Sequence, residues 1–404
     1  MTPLSNARVV LGVTGGIAAY RAADLASRLV QAGCRVDVVL TAGAAQFVQP
    51  MTFSAITKRP VHTTVFAPWT DEWHGHITLA SEAEILIVAP TSANALAGLA
   101  LGLAGDLLGT VALSTAAPLL LAPAMEDRMF HHPATQEHLA TLQERGATIV
   151  GPDHGRLASG EVGTGRLADV ETILGTARRL LGRNGILAGR TVVVTAAGTH
   201  EPIDPVRYVG NRSSGSMGYA LVQAAIDAGA SVTLITGPSY LRPPVGAEVV
   251  SVNTAEQMLV AVNDAITSAA ALVMAAAVAD FRPDHVSTTK LKKQGTDAGL
   301  TLALVRNPDI LASIDRPGLV KVGFAAETED LEANGLVKLR AKGLAMIVAN
   351  DASATIGADT STATIIRTDA RIERLPRMTK QLLGAEIVDR LATILQQRDV
   401  ESSH

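Results

Sequence analysis

The sequence predicts two tandem α/β domains, each a Rossmann-like doubly wound parallel sheet. Three observations carry that expectation. Twice, a continuous apolar run leads into a small-residue turn and then a helical pattern. The first is V9-V-L-G-V-T-G-G-I17; the second is T191-V-V-V-T195, with a polar loop that ends in S213-S-G-S-M-G218. Unbroken apolar runs suit parallel strands covered on both faces. Strand and helix patterns then alternate along nearly the whole chain, as βαβ units do. Finally, 404 residues exceed what one hydrophobic core usually organises.

Composition narrows the function classes. Aromatics are 3% of residues while glycine supplies 35, and mean hydropathy is positive, which suits helices packed closely on sheets. A formal net charge of −4 offers no field for a polyanion, so no nucleic acid is expected as partner. The single cysteine, Cys34, rules out an intrachain disulfide and a multi-cysteine metal centre. With no cationic-apolar pattern in the first residues, it leads to the expectation of a reducing cytoplasm. The most apolar stretch, Ala95–Leu113, carries glycines and Asp106 and reads as buried helices, so no membrane span is expected.

Along the first domain, residues 8–13 read as a strand and T14-G-G-I-A-A-Y20 as the turn into a helix reaching Gln31. Gly33 ends that helix and 35–40 is the next strand. The strict G-x-G-x-x-G fingerprint is absent. Thr41 stands where a dinucleotide ribose would want Asp or Glu. The turn Gly15, Gly16, Ile17 therefore suits a mononucleotide or flavin phosphate better than an adenine dinucleotide; an ordinary tight strand–helix turn is the alternative. Strand 84–89 leads through Pro90 and Ser92, Ala93 and Asn94 into an apolar helix, where Ser92 or Asn94 acts as a cap or binds a ligand. Strand 118–123 ends at Met125 and Glu126, followed by helix 133–145 and strand 147–150. Gly15, Thr41, residues 90–94 and Met125–Glu126 all fall at carboxyl ends of strands, where such sheets collect ligands. His74 and His76 read either as surface polar residues or as a general acid/base. The Gly-rich, charged run opening at 151 reads as a flap or arm, and a helix near 170–182 leads to a boundary near 184–189. The expected domains are 1–185 and 186–404.

In the second domain the loop after Thr195 runs about twenty residues without an apolar run, a length usual for functional or disordered loops. Its serine- and glycine-rich end suits phosphate at the start of a helix from Ser216. Strands 231–236, 248–252 and 271–275 follow, with helices 216–228 and 254–268. Asp280 lies just past a strand end, where a carboxylate takes ribose hydroxyls or Mg²⁺. The cluster from Lys290 to Lys293 is either a solvated face or a cover for a triphosphate. The helix with Lys338 and Lys342, strand 346–350, a last strand near 362–367 and a closing helix 380–397 complete the chain.

Together the motifs resemble the bifunctional phosphopantothenoylcysteine decarboxylase / phosphopantothenate–cysteine ligase family of coenzyme A synthesis, over nearly the whole chain. In the ligase half the resemblance rests on E201-P-I-D-P-V-R-Y, Asn211 with S213-S-G, A275-A-A-V-A-D280-F-R-P, K290-L-K-K, N307-P-D-I, G323-F-A-A-E-T and V348-A-N-D. In the first half it rests on T14-G-G-I-A-A-Y, residues 90–94, G105-D-L-L, Pro123–Met125 and G75-H-I-T-L-A. It implies a flavodoxin-like flavoprotein domain followed by a ligase domain. The implied ligation activates the carboxylate of 4′-phosphopantothenate with CTP as an acyl-cytidylate. Cysteine's amine then displaces CMP. Lys290 would stabilise phosphoryl charge, Asn211 would hold the acyl-cytidylate, and Asp280 would contact the nucleotide. Met274, Ala275, Ala276, Asn307, Pro308, Asp309, Ile310, Phe324, Lys338 and Lys342 would line the CTP site. Arg207 would reach the substrate phosphate of a dimer partner, and Mg²⁺, with Asp280 as its nearest carboxylate, would bridge the triphosphate. The resemblance also implies a homo-oligomer built from flavin-domain trimers and ligase-domain dimers.

For the first half the resemblance implies FMN at Gly15, Gly16, Ile17, Thr41, Ser92, Ala93, Asn94 and Met125, with His76 in the active site. The thiol of 4′-phosphopantothenoylcysteine is oxidised, carbon dioxide leaves, and the enethiol is reduced to 4′-phosphopantetheine. Two departures fall on this chemistry. Glu126 replaces the family's substrate-binding Asn, and Ser159 replaces its proton-donor Cys. An ionised Glu does not donate a hydrogen bond, and a hydroxyl is a far weaker acid than a thiol. Ordinary decarboxylation is therefore expected to be impaired, altered or absent. Alternatives are a repurposed paralogue acting on another carboxylate or cysteine-containing substrate, and a flavin-binding regulatory or assembly module. In the ligase half Ser216 replaces a usual Lys and His200 a usual Arg. The first change removes a cation near the phosphate site.

Overall fold

The computed structural model describes residues 2–66, 75–292, 300–327, 331–351, 358–369 and 371–402. The chain forms two compact units, Met1–Gly182 and Arg183–His404. The first runs β1 (Arg8–Val13), α1 (Ala19–Gln31), β2 (Arg35–Leu40), α2 (Pro50–Thr57), β3 (Val61–His62), α3 (His76–Glu82), β4 (Ile85–Thr91), α4 (Ala93–Leu101), α5 (Leu107–Ser114), β5 (Leu119–Pro123), α6 (Asp127–Phe130), α7 (Pro133–Glu144), β6 (Thr148–Ile149), β7 (Asp153–Arg156), β8 (Val162–Arg166) and α8 (Val170–Gly182).

Its main sheet has the order β3-β2-β1-β4-β5-β6, parallel throughout. Without the two-residue edge strand β3, the other five strands follow the 2-1-3-4-5 order of flavodoxin-like folds. Alternation along each strand builds two cores. Val9, Leu11 and Val13 pack with α1 residues Ala22, Leu25 and Leu29. Val10, Leu86, Val88 and Leu121 pack on the other face with Leu96 and Val111 of α4 and α5. The stretch 95–113 is thus two helices, split at Gly102 and restarted by Asp106, whose carboxylate caps α5 through the Gly109 amide at 2.8 Å. Among the described residues no helix is long and apolar enough to cross a membrane.

The second unit runs β9 (Thr191–Ala196), β10 (His200–Pro202), β11 (Tyr208–Gly210), α9 (Ser216–Asp227), β12 (Ser231–Thr236), β13 (Ala247–Ser251), α10 (Ala255–Ala265), β14 (Ala271–Met274), β15 (Phe281–Pro283), β16 (Leu304–Arg306), α11 (Ile310–Ser313), β17 (Val320–Glu327), α12 (Leu331–Ala341), β18 (Met346–Asp351), β19 (Thr360–Arg367), β20 (Ile372–Thr379) and α13 (Lys380–Ser402). Its main sheet has the order β13-β12-β9-β14-β17-β18-β19-β20. Val192, Val194 and Ala196 pack with α9 and α13, while Val193 joins Met258 and Val262 of α10 on the other face.

Three expectations need correction. The second sheet is mixed: β18–β19 and β19–β20 are antiparallel. Strand β20 was not anticipated. It is a half-exposed edge strand carrying Glu373, Arg374 and Arg377, in which Pro376 needs no inward amide. The loop after Thr195 is also more structured than its polarity suggests. It contains the β10–β11 hairpin, and Glu201, almost wholly buried, accepts the Ala255 amide at 2.9 Å.

Candidate functional site

In the first unit the strand order reverses between β1 and β4, so their carboxyl ends diverge and leave a crevice. Thr14 joins the two ends. Its hydroxyl donates to the Pro90 carbonyl at 2.7 Å and accepts from the Ser92 amide at 2.9 Å. Beside this junction lies a cavity of about 470 Å³. Of the sequence-predicted residues, Gly16, Ile17, Met125 and Glu126 line it. Arg156 and Arg166 of the hairpin and Tyr20 and Arg21 of α1 join them. Helix α1 begins without a side-chain cap; the Ala19 amide donates to the Gly16 carbonyl at 3.0 Å and the Arg21 amide to the Ala18 carbonyl at 3.0 Å.

The other predicted residues take different places. Ser92 caps α4 by accepting the Ala95 amide at 3.3 Å, and Ala93 and Asn94 form that helix's first turn. The Thr41 hydroxyl accepts the Ala44 amide at 3.2 Å and donates to the Val13 carbonyl. Gly15 packs against Gly43, where a methyl group would come within 3.0 Å of the backbone. These residues shape the crevice but do not line the cavity. His76 opens α3 and is likewise not a lining residue; His74 lies outside the described residues.

The Gly-rich run forms a hairpin, β7–β8, that closes back on the end of β5. The Met125 amide donates to the Gly165 carbonyl at 3.0 Å, and the Thr164 amide to Asp127 at 2.7 Å. A methyl group at position 165 would sit 1.9 Å from the Met125 carbonyl oxygen, so this seat requires glycine. The seating brings the two departures together: the Ser159 hydroxyl donates to the Glu126 carboxylate at 3.1 Å. In this chain the two side chains form a donor–acceptor pair. Cys34 does not substitute for the missing thiol. It is buried, donates to the Leu4 carbonyl at 3.3 Å, and is pushed up to about 11, chiefly by burial and further by the Glu84 charge.

In the second unit the order reverses between β9 and β14. Past their ends the two chains stay tied. The Ala276 amide donates to the Thr195 hydroxyl at 3.1 Å, Ala277 to the Ala197 carbonyl at 2.7 Å, and Ala279 to the Thr199 hydroxyl at 2.9 Å. A cleft of about 820 Å³ opens here. It is lined by Asn211, by Met274, Ala275, Ala276 and Asp280, by Asn307, Pro308, Asp309 and Ile310, and by Phe324. The Asn211 amide donates to the Val278 carbonyl at 3.1 Å. Asn307 ties its turn to the same segment, donating to the Ala279 carbonyl at 2.8 Å and accepting from Arg282 at 3.1 Å. The Asp280 side chain is exposed at the rim. Phe281, Arg306 and Asn350 also line the cleft and were not singled out from the sequence; Phe281 and Asn350 stand within the quoted motifs and Arg306 directly before N307-P-D-I.

The predicted cations sit around this cleft rather than in it. Lys342 reaches Asp309 at 2.8 Å. Burial opposes ionisation of Asp309, but the Lys342 hydrogen bond and the Ala312 amide outweigh it and hold the carboxyl below its usual range. Lys338 and Lys290 are not lining residues. Lys290 is exposed on a loop whose next residue, Leu291, donates its amide to Asp204 at 3.1 Å; Lys293 lies outside the described residues. Arg207 is engaged within its own chain, through Nε to Asp204 at 3.0 Å and Nη2 to the Leu291 carbonyl at 2.7 Å. The inaccessible Asp204 carboxylate is held far below the usual range, first by Arg207 and then by the backbone amides of Val206, Arg207 and Leu291. His200 stacks on Tyr208 with ring centroids 3.7 Å apart. The cation expected to be missing at Ser216 is present from elsewhere: Lys380 Nζ donates to the Ser216 hydroxyl at 2.8 Å.

Comparison with known proteins assigns each half of the chain to a family. Residues 1–182 match the flavoprotein family, and residues 187–395 match the DNA/pantothenate metabolism flavoprotein C-terminal domain. A coenzyme A biosynthesis bifunctional protein CoaBC from Bacillus subtilis is 42% identical over 402 residues, 98% of either chain. The Mycobacterium tuberculosis CoaBC is 43% identical over 409 residues, covering 96% of this chain and 97% of its own. A crystallised C-terminal domain of a CoaBC protein is 35% identical, covering 53% of this chain and 99% of its own, with a TM-score of 0.47. With two crevices at two sheet reversals and near full-length identity to both relatives, the chain belongs to the CoaBC family of bifunctional coenzyme A biosynthesis proteins.

Proposed function

We propose that the second unit joins cysteine to 4′-phosphopantothenate using CTP, and that the first unit decarboxylates the resulting 4′-phosphopantothenoylcysteine with bound FMN. What supports the ligase reading is the convergence of Asn211, residues 274–280, the 307–310 turn and Phe324 on one cleft at the sheet reversal. An amine does not displace the oxygen of a carboxylate until that oxygen becomes a good leaving group. Transfer of the CMP moiety makes it one, and pyrophosphate leaves. Cysteine's amine then attacks the acyl carbon, and CMP departs. Asn211, positioned by Val278, holds the acyl-cytidylate through its remaining amide hydrogen and its carbonyl oxygen. Phe281 and Phe324 offer apolar faces to the pyrimidine. Asp280 takes ribose hydroxyls or one position on a triphosphate-borne Mg²⁺, an ion that keeps few protein ligands. Among the described residues no group of three His, Cys, Asp or Glu could hold a metal alone. Lys290 meets the phosphoryl charge from its loop beside the cleft, and Lys338 and Lys342 complete the cationic surround. Arg207, oriented by Asp204, serves the substrate phosphate of a neighbouring subunit in a homo-oligomer.

The first cavity fits FMN. Gly16, Ile17 and Ala18 at the start of α1, with Arg21, would hold its phosphate, and Met125 would wall the ring. When bound, FMN supplies the two-electron chemistry on the cysteine thiol. Arg156 and Arg166 offset the negative charge that Glu126 brings toward the substrate. The Ser159 hydroxyl is too weak an acid to match a thiol in protonating the enethiol, so this last step is slow and enethiol accumulates, to one equivalent per active site or beyond it where dioxygen takes up the two electrons left behind. The full chain, given CTP and phosphopantothenate without cysteine, should release about one pyrophosphate per active site and hold an acyl-cytidylate. No pyrophosphate release at all until cysteine is added would sink the acyl-cytidylate order of steps.

A further inference from the structure

We propose that Lys380 is an anion-binding residue of the ligase half, holding a phosphate group of a substrate at the start of α9. The inference rests on the ligase reading and adds a residue from the far end of the chain. Lys380 is only 7% exposed, and it opens α13. Its ammonium reaches the Ser216 hydroxyl, at the first position of α9, across 2.8 Å. Ser216 and Ser214 hydroxyls lie 3.0 Å apart. Gly384, one turn into α13, makes the reach feasible: a methyl group there would meet the Ala220 carbonyl oxygen at 2.9 Å, so the two helices cross at close range.

This is an unfavourable place for a cation alone. Helix N-termini carry partial positive charge, and Lys380 lies at two of them, its own and that of α9. No carboxylate lies within ion-pair distance of it among the described residues, and Ser216 is its one side-chain partner there. An ammonium has three donors. The N-cap of helix α9 is Gly215, in the left-handed conformation at φ 82°, and the Ser216 amide reaches the Ser214 hydroxyl at 3.4 Å. Burial lowers the affinity of Lys380 for its proton, opposed by the Asp359 charge. A buried lysine whose ammonium has spare donors, two hydroxyls and the start of a helix together describe a seat for a dianionic phosphate. The next residue, Met217, lines the ligase cleft, so a phosphate seated here belongs to a ligand of that cleft. Phosphopantothenate and CTP both present such a group.

The test uses the full chain with Lys380→Met and Lys380→Arg, and titrates phosphopantothenate and CTP separately by calorimetry. Loss of one charge-assisted contact should weaken one of the two ligands about tenfold or more in Lys380→Met, and Lys380→Arg should keep most of the affinity. The ligand that weakens identifies the phosphate. Adding Ser216→Lys to Lys380→Met should recover that affinity, because it returns a cation to the same place. Wild-type affinity for both ligands in Lys380→Met would overturn the proposal. Should that variant not fold, Lys380→Gln read by the same titrations decides in the same way. Wild-type chain that binds neither ligand would overturn the ligase reading itself, and this proposal with it.

Discussion

Replacing Ser159 by Cys and Glu126 by Asn together should convert the first unit into a fast, complete decarboxylase. The present pair is a hydroxyl donating to a carboxylate at 3.1 Å. The Ser159→Cys change alone restores a thiol but leaves it beside that carboxylate. Two unit charges at about 4 Å interact by ~1 kcal/mol in water and ~4 kcal/mol at an effective dielectric of 20. Ser159 is exposed, so the lower end applies, and the neighbouring carboxylate would make the new thiol a poorer proton donor. The single variant should therefore regain only part of the rate. The double variant removes the repelling charge and supplies an amide donor. A positioned general acid contributes about 10²–10⁴-fold. The assay follows carbon dioxide, enethiol and 4′-phosphopantetheine in the same reaction, the last two separated by mass. In air, where dioxygen accepts the two electrons left when the enethiol is not reduced, wild-type chain should release carbon dioxide ahead of 4′-phosphopantetheine, with enethiol making up the difference. The double variant should close that gap and raise 4′-phosphopantetheine formation by about 10²-fold or more. Wild-type chain yielding carbon dioxide and 4′-phosphopantetheine in step, at a rate the double variant does not exceed, would refute the reasoning.

Other outcomes follow from single contacts. Gly165→Ala forces the hairpin off the Met125 carbonyl, so decarboxylation should fall while pyrophosphate release by the second unit stays at the wild-type rate; equal loss of both would count against the hairpin's role. Asp204 has a folded pKa far below its unfolded one, so its stabilisation is fully present above the unfolded value and is lost as pH falls through and below about 4. Asp204→Asn should lower the denaturation midpoint at neutral pH and shrink that acid dependence, and an unchanged midpoint would contradict it. For Cys34 the shift runs the other way, from 9.0 to about 11, so its contribution is present below pH 9.0 and is lost as pH rises toward 11. Native chain should resist thiol alkylation at neutral pH, and rapid labelling without unfolding would show that the burial is wrong.

The parts of the fold set by periodicity were legible in the sequence. Strand β1, the closing helix and the paired helices within 95–113 follow from apolar patterns with glycine or aspartate at their ends. What escaped depended on partners distant in sequence. Strand β20 has too many charged residues to read as sheet, and only pairing with β19 makes it one. The β10–β11 hairpin lies in a stretch whose order comes from Glu201 and Asp204 accepting amides at Ala255 and Leu291. The site shows the same division. Motif residues at strand ends converge on the second cleft, whereas Thr41 and Ser92 use their hydroxyls on neighbouring backbone. The Ser216 change looks like a lost cation in the sequence, because Lys380 is far along the chain and reaches it only through a helix crossing. Glu126 and Ser159 likewise read as two losses until the hairpin seats one against the other.

The most direct test of the whole account is one reaction of the full chain with CTP, cysteine and 4′-phosphopantothenate, following pyrophosphate and carbon dioxide separately. The account predicts prompt pyrophosphate release that requires all three substrates for turnover, followed by slower carbon dioxide release that depends on FMN. Absence of pyrophosphate with FMN bound and the chain folded would contradict it, because the better-formed of the two sites would then be doing some other chemistry.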